Sequence, residues 1–189
     1  MKVVFIILSL LLTCAVEAQV KMRDVVKQMP DSLVPYLKQN ARLDFIDFVD
    51  SGMKAEVSND LGGKSQLTEL TDDFASFTLN PASQIQLRLL DVNETIDDAR
   101  QIICMVRTFG ESMRESTIGF YSVTWRPLPI EKRISLPSSY MYHIELSSKA
   151  PELTIEREIS MDIPANDEQK EIDKMLNLFK WNNEIFKMY

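Results

Sequence analysis

Apolar positions in the first quarter of the chain recur with a helical period, and those that follow recur with a period of two. Met22, Val25, Val26 and Met29 fall at i, i+3, i+4 and i+7, the stripe of an amphipathic helix, and Pro30 ends it. Asp31 is placed to cap a short second helix running to Leu37, with Pro35 tolerated in its first turn. A third helix is predicted over 40–51, capped by Asn40. It turns Phe45, Phe48 and Val49 inward and Asp44 and Asp47 outward. Gly52 follows where a left-handed residue closes a helix.

The period then changes. Residues 54–58 and 65–70 read as a hairpin around Asn59-Asp60-Leu61-Gly62-Gly63, and Thr71-Asp72-Asp73 turns the chain into a strand over 74–79. Asn80-Pro81-Ala82-Ser83 is a turn, and Ile85, Leu87 and Leu89 then alternate with Gln86 and Arg88 as in a half-buried strand. A polar loop over 91–100 leads to residues 102–109, apolar on both faces and therefore a central strand. Gly110-Glu111-Ser112 turns this into a strand over 116–123. Trp125-Arg126-Pro127-Leu128-Pro129 breaks the pattern, a crossing to a second group of elements.

In the last third, Tyr140, Tyr142, Ile144 and Leu146 alternate with Met141, His143 and Glu145, and Leu153, Ile155, Ile159, Met161 and Ile163 alternate with polar residues, giving a hairpin through 147–151. Pro164 stops it. Asn166 caps a final helix with Gln169 at the capping-box position and a stripe of Ile172, Met175, Leu176 and Phe179. Residues 181–189 are aromatic enough to pack on the body. The expected architecture is α+β: an antiparallel meander sheet of about seven or eight strands, with the N-terminal helices and a C-terminal helix packed on it.

The first eighteen residues stand apart from this pattern. Lys2, the apolar run 3–12 and Val16-Glu17-Ala18 read as a secretory signal peptide cut before Gln19. A run this short does not span a bilayer as a helix. The rival, a lipoprotein signal with Cys14 lipidated, is poorly matched by Leu12-Thr13. Residues 19–189 then form a single α+β domain, exported and without a membrane span. A net charge of −7 disfavours nucleic acid and anionic lipid as partners. Cys104, the one cysteine left after cleavage, lies in an apolar run and reads as a small buried hydrophobe.

Candidate chemistry is thin. Leu61-Gly62-Gly63-Lys64-Ser65 superficially resembles a phosphate loop, but Ser58 stands where the first glycine belongs and no helix follows. Residues 91–97 place oxygen ligands at alternate positions, yet Ile96 and Ile102 replace the glycine and the bidentate glutamate of a calcium loop. Asn93-Glu94-Thr95 is a glycosylation sequon. The pairs Asp72-Asp73 and Asp97-Asp98 sit in predicted turns, and His143 is the only histidine. No catalytic, metal or cofactor-binding residue is assigned, and the balance leans against an enzyme.

Met29-Pro30-Asp31-Ser32-Leu33, Met53-Lys54-Ala55-Glu56-Val57, Leu61-Gly62-Gly63-Lys64-Ser65, Leu70-Thr71-Asp72-Asp73 and Arg114-Glu115-Ser116-Thr117, with Phe120-Tyr121-Ser122 and Trp125, resemble a family of exported Bacteroidales proteins catalogued only as a domain of unknown function. The resemblance implies an address in a diderm envelope, periplasmic or on the outer surface, and transfers no activity. In that compartment Asp31-Ser32-Leu33 resembles the motif for O-glycosylation at Ser32. Three functions are expected in order: a non-enzymatic module binding an envelope protein or glycan, a hydrophobic-ligand carrier lined by Phe77, Leu87, Phe120 and Tyr142, and a carboxylate-dependent hydrolase. A filled core with an exposed aromatic patch favours the first, an enclosed cavity the second, and convergent carboxylates the third.

Overall fold

A computed structural model describes residues 19–136, 141–157 and 177–189. Helix α1 (Met22–Gln28) buries Met22, Val25 and Val26 and stops before Pro30, as its stripe requires. A single 3-10 turn (Asp31–Leu33) replaces the expected second helix. Pro35 disfavours helical geometry in the residue before it, and Val34 departs from it at φ −139° and ψ 68°. Helix α2 (Gln39–Asp50) begins one residue ahead of Asn40, which therefore does not cap it. Its buried face is Arg42, Phe45 and Ile46, while Val49, expected inside, is exposed. Gly52 takes the left-handed conformation at φ +67°.

Seven antiparallel strands follow in meander order and make the large sheet: β1 (Glu56–Ser58), β2 (Lys64–Leu70), β3 (Phe74–Asn80), β4 (Ser83–Ile96), β5 (Ala99–Phe109), β6 (Glu115–Ser122) and β7 (Pro127–Leu128). The segment expected as a polar loop is instead the tip of the β4–β5 hairpin, which closes with Ile96 opposite Ala99. Asp97 and Asp98 both have positive φ, 50° and 61°, as a two-residue turn of this kind demands. At the β5–β6 turn, Gly110 is obligatory: a Cβ there would sit 1.9 Å from the Met113 carbonyl oxygen.

The last third does not extend this sheet. β7 pairs with β6 over two residues only, and Pro127 and Pro129 offer no backbone donor to lengthen the ladder. The chain crosses to build a small antiparallel sheet of β8 (Tyr142–Leu146), β9 (Glu152–Arg157), β10 (Asn177–Trp181) and β11 (Phe186–Met188), in the order β11-β10-β9-β8. The helix expected from Asn166, with Ile172, Met175 and Leu176, lies outside the described residues, as do the leader 1–18, Tyr140, Ile159, Met161 and Ile163. Phe179, assigned to that helix, belongs to β10, and the aromatic tail contributes the buried Trp181 and Phe186.

Two apolar clusters result, one on each face of the large sheet. On the helix side, Phe45 lies 5.9 Å from Phe77, and Met22, Val26, Leu87 and Met105 pack around them. On the other side, Ile102, Cys104 and Val106 of β5 meet Ile144, Leu153 and Trp181 of the small sheet. Trp125 anchors the crossing by packing on the helix-side cluster and donating its indole N–H to the Val25 carbonyl at 3.2 Å. Cys104 is wholly buried, as expected, but helices cover only one face of its strand, and the small sheet covers the other.

Candidate functional site

Polar side chains that alternate with the core residues of β4 and β6 read as solvent-facing in the sequence. Three of them instead seal the edge of the small sheet. Ser116 Oγ accepts the Ile144 N–H at 2.9 Å, Gln86 Oε1 accepts the Leu146 N–H at 2.9 Å, and Arg88 donates to the Ser147 carbonyl at 2.6 Å. An edge strand leaves such groups unpaired, so these contacts dock β8 on the large sheet without a ladder. Arg88 also reaches Asp73 at 2.7 Å. The same seam holds His143, 6% exposed, with Nδ1 3.2 Å from Ser116 Oγ, which also lies 2.9 Å from Thr108 Oγ1. A serine beside a histidine invites a nucleophilic reading, but Ser116 is 3% exposed and its oxygen is engaged by three neighbours. The cluster is a fastener.

The acidic pairs are committed elsewhere. Asp73 holds Arg88, and Asp72 lies 3.7 Å from Lys21. Asp97 holds Arg126 at 2.7 Å, and hydrogen bonds from Arg126, Ser122 and Thr124 keep its carboxyl well below the usual carboxylate range. Neither pair converges on a shared reacting position. Among the described residues no three His, Cys, Asp or Glu side chains cluster as metal ligands. In the glycine-rich turn, Asn59 Oδ1 accepts the Leu61 and Gly63 N–H groups while its Nδ2 donates to the Leu79 carbonyl at 2.9 Å. Lys64 pairs with Glu56. The turn is a pinned hairpin with its lysine already used. Burial pushes the Cys104 thiol far above the ordinary thiol range, away from nucleophilic use. The four residues expected to line a lipid-type cavity divide between the two clusters, Phe77 and Leu87 on the helix side and Phe120 and Tyr142 opposite, so they enclose no common space.

One open recess lies on the helix side, where the helical layer ends before the sheet does. The cross-strand partners Ile85 and Arg107, and beside them Ser83 and Phe109, carry the β4–β5 surface past α1. The segment 32–36 arches over this strip and encloses a pocket of about 290 Å3 with Leu33, Val34 and Leu79 in its lining. The arch is held at its far end by the Asp60 N–H on the Tyr36 carbonyl at 3.3 Å and by Lys38 on Asp60 at 2.9 Å. At its near end Asp31 pairs with Arg42 at 2.9 Å, and Arg42 also donates to the carbonyls of Val26, Met29 and Leu37. Two aromatic rings stand at the rim with large exposed surface, Tyr36 at 46% and Phe109 at 49%. Arg107 is the one charged side chain of the lining, and among the described residues it has no hydrogen-bond or ion-pair partner. Ser32, exposed in the 3-10 turn, lines the same pocket.

The sequence pattern points to Ser32 but not to Tyr36, Arg107 or Phe109. The signal was present at the end of β5, where Arg107 and Phe109 continue the face of Ile103 and Met105 although one is charged and the other borders a turn.

Among the described residues no helix is long and apolar enough to cross a membrane. The chain is similar in fold to a solved structure, a domain of an uncharacterized protein from Porphyromonas gingivalis W83. The match has a TM-score of 0.72 at 17% identity and covers 89% of this chain and 97% of that one. No curated protein matches it. Residues 13–163 match the family described as protein of unknown function (DUF3256), and the chain belongs to that family.

Proposed function

We propose that this protein is a non-enzymatic binding module of the bacterial envelope, exported as a single domain, and that it grips a partner protein through the pocket under the 32–36 arch. The observation that carries this reading is the pairing of two exposed aromatic rings with an unpartnered cation around one apolar recess. Exposed aromatics are costly to leave in water and are the side chains that dominate binding surfaces. Arg107, as the one charge of the recess, selects a partner that presents a carboxylate beside an apolar side chain. Ser32 at the rim is accessible for the O-glycan expected from its motif, and a glycan there would restrict how a partner approaches.

The test is capture from a native envelope fraction with wild-type protein, the triple variant Tyr36→Ala, Arg107→Ala, Phe109→Ala, and Met53→Ala as an exposed apolar control outside the pocket. A protein retained by wild type and Met53→Ala, bound about tenfold or more weakly by the triple variant, and released by salt supports the reading. Capture that the triple variant leaves unchanged removes it.

A further inference from the structure

The other face of the large sheet carries a second and chemically different recess. A groove of about 510 Å3 runs between β2, β3 and β4 and the β8–β9 hairpin. That volume falls within the range of small-ligand sites. A bulge between Leu67 and Glu69 turns β2 over, so that Glu69 pairs with Ser76 and faces the groove and not the helices. From the facing wall, Glu145, Thr154 and Leu178 form a cross-strand row over β8, β9 and β10. The lining includes the carboxylates of Glu69, Glu145 and Glu152 and no lysine or arginine, although Lys180 reaches Glu152 at 3.4 Å. Among the polar groups, Ser76 and Gln86 are nearly buried, at 6% and 8% exposed. The Gln86 side-chain oxygen is taken by the Leu146 N–H, whereas its Nε2 donates to nothing among the described residues.

That combination discriminates between ligands. An anion meets three carboxylates and is repelled. A cation satisfies the carboxylates but offers no lone pair to the Gln86 amide N–H groups that face the groove. A hydroxyl does both, donating to a carboxylate and accepting from an amide. Ser147, Ser148 and Thr154 add further hydroxyls, and Leu178 offers apolar surface for the C–H face of a sugar ring. We infer that the groove between the two sheets binds a neutral carbohydrate, with Gln86 Nε2 and the Glu69 and Glu145 carboxylates reading adjacent hydroxyls. This site is independent of the aromatic pocket, which lies on the opposite face of the sheet.

The experiment starts with labelled protein on an array of immobilised neutral glycans. Soluble trisaccharides of the classes retained are then titrated into 15N-labelled protein and followed by NMR. The expected result is saturable shifts at the Gln86 side-chain amide and at the backbone amides of Ser147 and Ser148. Affinity should fall about tenfold in Glu69→Ala/Glu145→Ala, since each exposed carboxylate is a charged acceptor, with an unchanged melting temperature. Tetralysine is titrated in parallel. An array without hits, groove shifts produced by tetralysine alone, or sugar shifts that persist at full affinity in the double variant would each overturn the assignment. Loss of sugar binding in the Tyr36, Arg107, Phe109 variant would move the site to the other face and overturn it as well.

Discussion

Arg42 heads the stripe of α2, one turn ahead of Phe45 and Ile46, where an apolar residue is the ordinary choice. It is 1% exposed. Its guanidinium gathers the carbonyls of Val26, Met29 and Leu37 around the end of α1 and the following turn, where helical partners run out, and Val26 also takes the Met29 N–H at 3.4 Å. An arginine has five donors in a fixed fork, so one side chain closes what would take several caps. Arg42→Met keeps the stem's volume and strands the Met29 and Leu37 carbonyls, and it should destabilise the fold by about 3–5 kcal/mol in urea titration. Asp31→Asn should cost under about 1 kcal/mol, because the Asp31 side chain is 55% exposed and its pairing is screened. Equal losses would place the stabilisation in the ion pair and not in the carbonyl cage. The helical period made this position visible, but a charged residue there reads as surface when only the pattern is known. Gln86, Arg88 and His143 read as outward for the same reason. Alternation reports which residues share a face, and it is silent on what lies against that face.

At the scale of elements, the meander was legible because each strand pairs with its neighbour in sequence, so short-range turn signals carry the topology. The polar tip over 91–100 reads as a loop because Asp91, Asn93, Glu94 and Thr95 are exposed and break the period, and the ladder itself is interrupted between the Asp91–Gln101 and Ile96–Ala99 pairs, with only Val92 and Ile96 reaching the core. Its turn shows the strain. Asp97 and Asp98 both occupy left-handed backbone, which costs an L-residue energy that glycine avoids. Asp97 compensates through Arg126 and Thr124, whereas Asp98 makes no hydrogen bond or ion pair among the described residues. Asp98→Gly should therefore raise stability by roughly 0.5 kcal/mol, a gain of about 1–2 °C in melting temperature for a chain of this size. Asp97→Gly should lower it by removing the clamp on Arg126. A fall in both variants would mean that Asp98 supports the tip in some way other than by its backbone conformation.

For the whole molecule, the governing fact is that the large sheet is covered twice, by helices on one face and by a second sheet on the other, and the two covers are attached differently. The helices are bound to the sheet through a continuous apolar cluster and to each other through the Arg42 cage. The small sheet is bound through its own cluster together with the polar seam of Ser116, Gln86 and Arg88. Cys104 points into the second interface, so its thiol reports on whether the small sheet can lift while the rest stays folded. A water-soluble disulfide reagent should label native Cys104 slowly and unfolded Cys104 fast. Ser116→Ala leaves the Ile144 N–H buried without an acceptor, a loss of about 1–3 kcal/mol, and should speed native labelling about tenfold if reclosing outpaces reaction. Arg42→Met loosens the opposite face. It should lower the global unfolding free energy more than Ser116→Ala while accelerating labelling less. That inversion is the signature of a locally opening sheet. If labelling instead follows global stability, with Arg42→Met the faster of the two, the two covers detach together and the sheets open only when the whole chain unfolds.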